Sequence, residues 1–166
     1  MRRVSEKLAV LAFVVLLVGC REAPVAAVYS IKDYDPKRDP AADLAATVKL
    51  AQVENKRILL QVGGKWCGWC HRLDKYIATH PAVARVLAAK FIIMKVNYSD
   101  ENKNAEFLAQ FPKVGGYPHW FFLDSDGKFL HSQGTGELEE GDNYIEPKML
   151  IVLRTWRAGG LSASNQ

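Results

Sequence analysis

The chain has 166 residues, 49% of them hydrophobic, with 22 basic and 18 acidic side chains, a formal net charge of +4 and three cysteines. That length suits one domain with a real core. Three cysteines exclude a disulfide-stapled scaffold, and the small net charge, with no basic stripe interleaved with aromatics, argues against nucleic acid as a partner.

Arg2, Arg3 and Lys7 make a positive start, and residues 8–18 are an unbroken apolar run. The run is shorter than the roughly 20 residues a spanning helix needs, so it reads as a signal peptide. It ends in Leu17-Val18-Gly19-Cys20, which resembles the lipoprotein signal of bacteria. That resemblance implies removal of residues 1–19 and lipidation of Cys20. The alternative is an ordinary secretory signal with an incidental cysteine. Lipidation also gives a role to the cysteine left over when Cys67 and Cys70 are paired. Without the signal, 19 basic and 17 acidic residues remain, about +2, so part of the basic balance belongs to the signal. Arg21 follows the cysteine where Asp is absent, which resembles the outer-membrane-directed class of such lipoproteins. The expected location is exported, lipid-anchored and facing the periplasm, with the outer membrane preferred.

Residues 20–40 carry Pro24, Pro36 and Pro40 with clustered charge, and are expected to form a tether with a short strand near 27–31. Asp39-Pro40 reads as the cap and first position of a helix, with Leu44, Val48 and Ala51 at helical spacing. Residues 58–63 form a short apolar run, expected as a buried strand. The period turns helical from Cys67, with Cys70, Leu73 and Ile77 on one face, until His80-Pro81 interrupts it. A second helical piece follows over 81–89, then a buried strand over 91–96 and a short helix over 101–110. Residues 120–123 are the third strand, 124–127 a turn, and 128–133 its antiparallel partner. Pro147 opens a last helix bearing Met149, Leu150, Leu153 and Trp156. Alternating strands and helices predict an α/β domain over 41–160, with a mixed sheet of about four to five strands covered on both faces, and a tail over 161–166.

The chemistry concentrates in Trp66-Cys67-Gly68-Trp69-Cys70-His71, just after the first buried strand and a Gly63-Gly64 break. Cys-x-x-Cys on the first turn of a helix is a redox geometry, because free N–H groups and the helix dipole stabilise a thiolate. Cys67 comes first and is expected at the exposed end of the helix. Cys70 shares the face of Leu73 and Ile77 and is expected to be more buried. His71 lies four residues after Cys67, where an imidazolium would favour the Cys67 thiolate; as an alternative it is a solvated surface residue. Trp66 and Trp69 are expected as an apolar docking lip, or as packing on the sheet edge. The same letters spell the attachment pattern of c-type haem, with His71 as axial ligand and Met94, Met149, His119 or His131 as the second. A metal site from Cys67, Cys70, His71 and His119 is a further alternative, although closed zinc sites want four ligands. A redox-inert, peptide-binding lipoprotein is the third.

Taken together, Trp66-Cys67-Gly68-Trp69-Cys70, Val114-Gly115-Gly116-Tyr117-Pro118 and 121–128 (Phe-Phe-Leu-Asp-Ser-Asp-Gly-Lys) resemble the thioredoxin superfamily, over roughly residues 41–158 and closest to its exported, membrane-anchored members. The resemblance implies a thioredoxin-like fold and thiol–disulfide exchange with protein substrates and an upstream redox partner, without cofactor or metal. It implies that Cys67 is the nucleophile and Cys70 the resolving thiol. Pro118 is then the family's cis proline, with the Tyr117 backbone pairing an extended substrate. One departure stands out. The family often places a buried acid under the disulfide, and here that position is Gln61, which cannot accept a proton.

Overall fold

The computed structural model describes residues 26–157. Its centre is a five-stranded sheet of β1 (Tyr29–Ile31), β2 (Arg57–Gly63), β3 (Phe91–Asn97), β4 (His119–Leu123) and β5 (Phe129–Gly134), in the order β1-β3-β2-β4-β5. The first three strands are parallel, while β4 runs antiparallel to β2 and β5 to β4. Every residue of β2, β3 and β4 is buried, as expected of strands covered on both faces.

Side-chain alternation sorts these strands into two cores. Ile58, Leu60, Val62, Ile92, Met94, Val96, Phe121 and Leu123 share one core with Ala51 of α1 (Pro40–Glu54) and Phe107 of α4 (Ala105–Leu108). Leu59, Phe91, Ile93, Trp120 and Phe122 face the other way. They pack on α2 (Gly68–Thr79), α3 (Pro81–Lys90) and α5 (Glu146–Thr155) through Leu73, Ile77, Leu87, Met149 and Leu153. Burying one such side chain is worth about 1.5–3 kcal/mol. A polar residue inside these strands therefore needs a partner. Gln61 and Lys95 are such residues, and both point to the α2 side.

Local chemistry sets the helix ends. The Asp39 carboxylate accepts from the Ala41 and Ala42 N–H groups at 2.9 and 3.3 Å, with Pro40 at the first position. Asn55 closes α1 in the left-handed conformation. His80 ends α2 and precedes Pro81 of α3, and its ring stacks on Tyr76 at 3.5 Å. The β4–β5 turn is held by Asp124, whose carboxylate accepts from the Asp126 and Lys128 N–H groups, with Gly127 at φ 83°.

Two expectations need correction, and one element is new. The short strand expected near 27–31 is present as β1 and pairs with β3, and Tyr34 is 3% exposed, so the stretch expected as a tether packs on the domain from β1 onward. The helix expected over 101–110 shrinks to the single turn of α4. Asn97, Ser99, Asn102 and Asn104 bond one another's side chains and backbone, an alternative to helix that these residue types favour. Beyond β5 the chain makes a 3-10 turn (Thr135–Leu138) and a small hairpin, β6 (Glu139–Glu140) with β7 (Asn143–Tyr144), that the sequence pattern did not reveal. Cys20 and the 1–19 segment lie outside the described residues, as does the tail expected over 161–166.

Candidate active site

β2 delivers the chain to Gly63-Gly64, and α2 begins shortly after at Gly68, with Cys67 as its cap. Cys67 and Cys70 are joined as a disulfide, with Cα atoms 5.2 Å apart. The Cys67 sulfur accepts from the Cys70 N–H at 3.1 Å. A sulfur at a helix cap sits among free N–H donors at the positive end of the dipole, where thiolate charge is favoured. Both cysteines are covered: Cys67 is 3% exposed and Cys70 fully buried. The expected order holds, but Cys67 is far less open than a helix start suggested. The cover is a cluster of Tyr34, Trp69 and Tyr117 around the two sulfurs.

Gly63 explains how the disulfide fits against the sheet. A Cβ at that position would overlap the Cys70 sulfur and lie 3.0 Å from the Tyr34 hydroxyl. Only a glycine leaves that space.

The Tyr117–Pro118 peptide is cis, as the resemblance implied, and opens β4. The Pro118 carbonyl accepts from the Thr135 hydroxyl at 2.6 Å. Tyr117 stacks on Tyr98 at 4.7 Å and meets the edge of Trp66 at 5.7 Å. Burial pushes the Tyr117 hydroxyl well above its ordinary value, so it stays protonated. Trp66 is 59% exposed, and its indole N–H donates to the Tyr98 carbonyl at 2.7 Å. The two tryptophans therefore differ. Trp66 stands out as a lip, whereas Trp69 meets Tyr144 in a T-shaped contact at 5.5 Å and carries the Arg72 guanidinium 4.4 Å from the centre of its ring. Beside the disulfide, Trp69, Tyr117, Pro118, His119, Thr135 and Glu139 line a cleft of about 550 Å³.

His71 turns to the loop before the helix, with Nε2 2.7 Å from the Lys65 carbonyl oxygen. Since a carbonyl only accepts, that nitrogen carries a hydrogen. His119 is buried, its Nε2 bonded to Ser132 at 2.8 Å while Nδ1 has no hydrogen-bond partner among the described residues. Burial pushes its pKa down to about 4, so the ring is neutral.

Under the disulfide, sequence reasoning identified Gln61 but missed its neighbours. The Gln61 amide donates to the Tyr34 hydroxyl at 2.9 Å and to the Asp74 carboxylate at 3.1 Å, and accepts from the Trp120 indole at 3.4 Å. Asp74 also pairs with the Lys95 ammonium at 2.6 Å, and that ammonium lies 4.9 Å over the Tyr34 ring. Asp74 was legible as the residue one helical turn after Cys70. Tyr34 sat in the presumed tether and gave no signal.

The structure also places the residues named for the haem and metal alternatives. Both sulfurs are in the disulfide and the His71 Nε2 is held by Lys65. Met94 and Met149 belong to opposite cores, and His131 stacks on Trp156 at 4.4 Å. Among the described residues, no group of three or more His, Cys, Asp or Glu side chains is gathered to hold a metal.

A family model described as thioredoxin-like matches residues 39–125, more than half of the chain. The chain belongs to the thioredoxin-like family. It is 32% identical over 92 residues to the thiol:disulfide interchange protein DsbD of Actinobacillus pleuropneumoniae, covering 55% of this chain and 16% of that protein. It is 29% identical over 84 residues to the disulfide bond reductase DsbH of Chlamydia pneumoniae, covering 46% and 50%. The chain thus spans at most half of these curated relatives. Among solved structures, a disulphide isomerase from Xylella fastidiosa superposes with a TM-score of 0.62 at 23% identity, over 73% of this chain and 93% of that one. The oxidised C-terminal domain of Neisseria meningitidis DsbD superposes with 0.54 at 19% identity, over 72% and 97%. At such identity these structures speak for the fold. The five-stranded mixed sheet with helices on both faces is the thioredoxin-like arrangement.

Proposed function

We propose that this protein is a thiol–disulfide oxidoreductase that acts on protein disulfides in an exported compartment. The observation that carries the reading is the Cys67–Cys70 disulfide at the cap of α2, beside the Tyr117–Pro118 opening of β4. Helix-cap donors favour the Cys67 thiolate, which attacks one sulfur of a substrate disulfide. A mixed disulfide forms and one substrate thiolate leaves. The Cys70 thiolate then attacks the Cys67 sulfur, closes the intramolecular disulfide and expels the second substrate thiolate. The protein is oxidised by two electrons and the substrate reduced by two. The same steps run in reverse when the potential of the couple is the higher one.

Trp66 and Tyr117 give the apolar lip for an extended substrate segment, whose backbone pairs with Tyr117. Relatives named for thiol:disulfide interchange and disulfide reduction support this reading. The Leu17-Val18-Gly19-Cys20 pattern supports a lipid anchor on Cys20, which keeps the domain where disulfide substrates persist. Among the described residues no helix is long and apolar enough to cross a membrane. Membrane attachment through several acyl chains is consistent with that.

The test is a disulfide-reduction assay with protein substrates. Cys67→Ser abolishes exchange, and Cys70→Ser accumulates mixed disulfides. Variants that both retain wild-type turnover contradict the reading.

A further inference from the structure

The Gln61 side chain has a fixed sense, and that sense reaches the resolving sulfur. An amide oxygen and an amide nitrogen can be exchanged on paper, but here both outer partners decide the assignment. The Trp120 indole can only donate, so it meets the Gln61 oxygen. The Asp74 carboxylate, paired with the Lys95 ammonium, accepts, so it meets the Gln61 nitrogen. The second N–H of the same nitrogen points to the Tyr34 hydroxyl oxygen at 2.9 Å. Tyr34 is therefore an acceptor toward Gln61, and its own hydrogen is directed elsewhere. Among the described residues, Gln61 is the hydrogen-bond partner of that hydroxyl in the oxidised form.

The same hydroxyl belongs to the cluster that covers the Cys70 sulfur. Tyr34, Cys67 and Cys70 form one buried cluster. The Tyr34 oxygen and the Cys70 sulfur both crowd the point that a Cβ on Gly63 would take. A disulfide sulfur is a weak acceptor, whereas a thiolate is a strong one.

We infer that, on reduction, the Tyr34 hydroxyl donates its hydrogen to the Cys70 sulfur and stabilises the thiolate that resolves the mixed disulfide, with Gln61, Trp120 and Asp74 setting the direction of the donation. This inference rests on the exchange reaction proposed above. Tyr34 keeps its proton throughout. The Cys70 proton leaves for solvent and is matched by one taken up by the departing substrate thiolate, so charge balances. The device also accounts for a glutamine under the disulfide. Gln61 takes no proton; it orients a donor.

The experiment is Tyr34→Phe, which removes one oxygen and keeps the ring, made in the full chain with circular dichroism confirming the fold. In a Cys67→Ala background, the titration of Cys70 is followed by its alkylation rate against pH. Loss of one hydrogen bond to a charged group predicts an upward move of roughly one pH unit. In the parent chain, release of substrate from the mixed disulfide slows roughly tenfold, and the first attack changes less. Gln61→Glu, which can turn an acceptor oxygen toward Tyr34, reproduces the direction of the effect. An unchanged Cys70 titration in Tyr34→Phe overturns the inference. The titration needs no turnover, so an inactive wild-type protein would instead refute the proposed exchange.

Discussion

Gln61 stands opposite Lys95 in the parallel register of β2 and β3, and Asp74 reaches down from α2 to bond both, at 3.1 and 2.6 Å. Two polar side chains inside fully buried strands are thereby satisfied by one carboxylate. Lys95 is 8% exposed and Asp74 31%, so this pair sits between the surface and the buried limits. Asp74→Ala should cost about 2 kcal/mol in urea unfolding, because it strands an ammonium and an amide. Adding Lys95→Met should return part of that loss. Equal stability of wild type and Asp74→Ala would show that the carboxylate does not hold the network.

Gly63 tests the packing under the disulfide. Its missing side chain leaves room for the Cys70 sulfur and the Tyr34 hydroxyl. Gly63→Ala should lower stability by about 1–3 kcal/mol, the usual cost of overpacking, seen as a lower thermal midpoint of the oxidised protein. A midpoint within error of wild type would mean that the sheet gives way easily there.

His119 predicts a pH dependence. Its folded pKa is depressed to about 4 by burial, against about 6.5 when unfolded. Below the unfolded value the unfolded chain binds a proton that the folded one refuses. Stability contributed by the neutral ring is therefore complete above pH 6.5 or so, falls as pH drops toward about 4, and then levels off. The loss is on the order of 3 kcal/mol across that window. Urea unfolding of wild type and His119→Gln between these pH values checks it. The variant should lack this part of the slope, and parallel curves would rule out His119 as its source.

Much of the fold was legible because its signals are local. Ile58 to Val62 and Phe91 to Val96 are apolar runs too short for helices, and both became fully buried strands. Asp39-Pro40 and His80-Pro81 marked helix starts through chemistry that acts within a few residues. The cysteine pair was legible by its spacing. What stayed hidden depends on contacts far apart in sequence. Tyr34 reaches Gln61 across 27 residues, and proline and charge around it read as a tether. Trp69 reads as a lip beside Trp66 until Tyr144, 75 residues on, packs against it. The stretch 101–110 reads as a short helix with Phe107 and Leu108 apolar, yet bonds among four polar side chains and the backbone decide its shape.

Trp66 separates docking from folding. It is 59% exposed and touches the rim residues Tyr98 and Tyr117. Trp66→Ala should change stability by no more than about 1 kcal/mol, since an exposed side chain loses little burial. It should raise KM for a protein disulfide and leave KM for a small disulfide such as cystine nearly as it was. A matching rise for both substrates would remove Trp66 from the docking surface.

The central claim is that Cys67 and Cys70 form one reversible two-electron couple. The most direct measurement equilibrates the protein in glutathione buffers of graded ratio. Free thiols are then alkylated, and the peptide that holds both cysteines is weighed at each ratio. The account predicts that this peptide passes from unlabelled to doubly labelled in a single transition, with a tenfold change in equilibrium constant for about every 30 mV. A peptide that keeps one label at all ratios, or never changes, would contradict it.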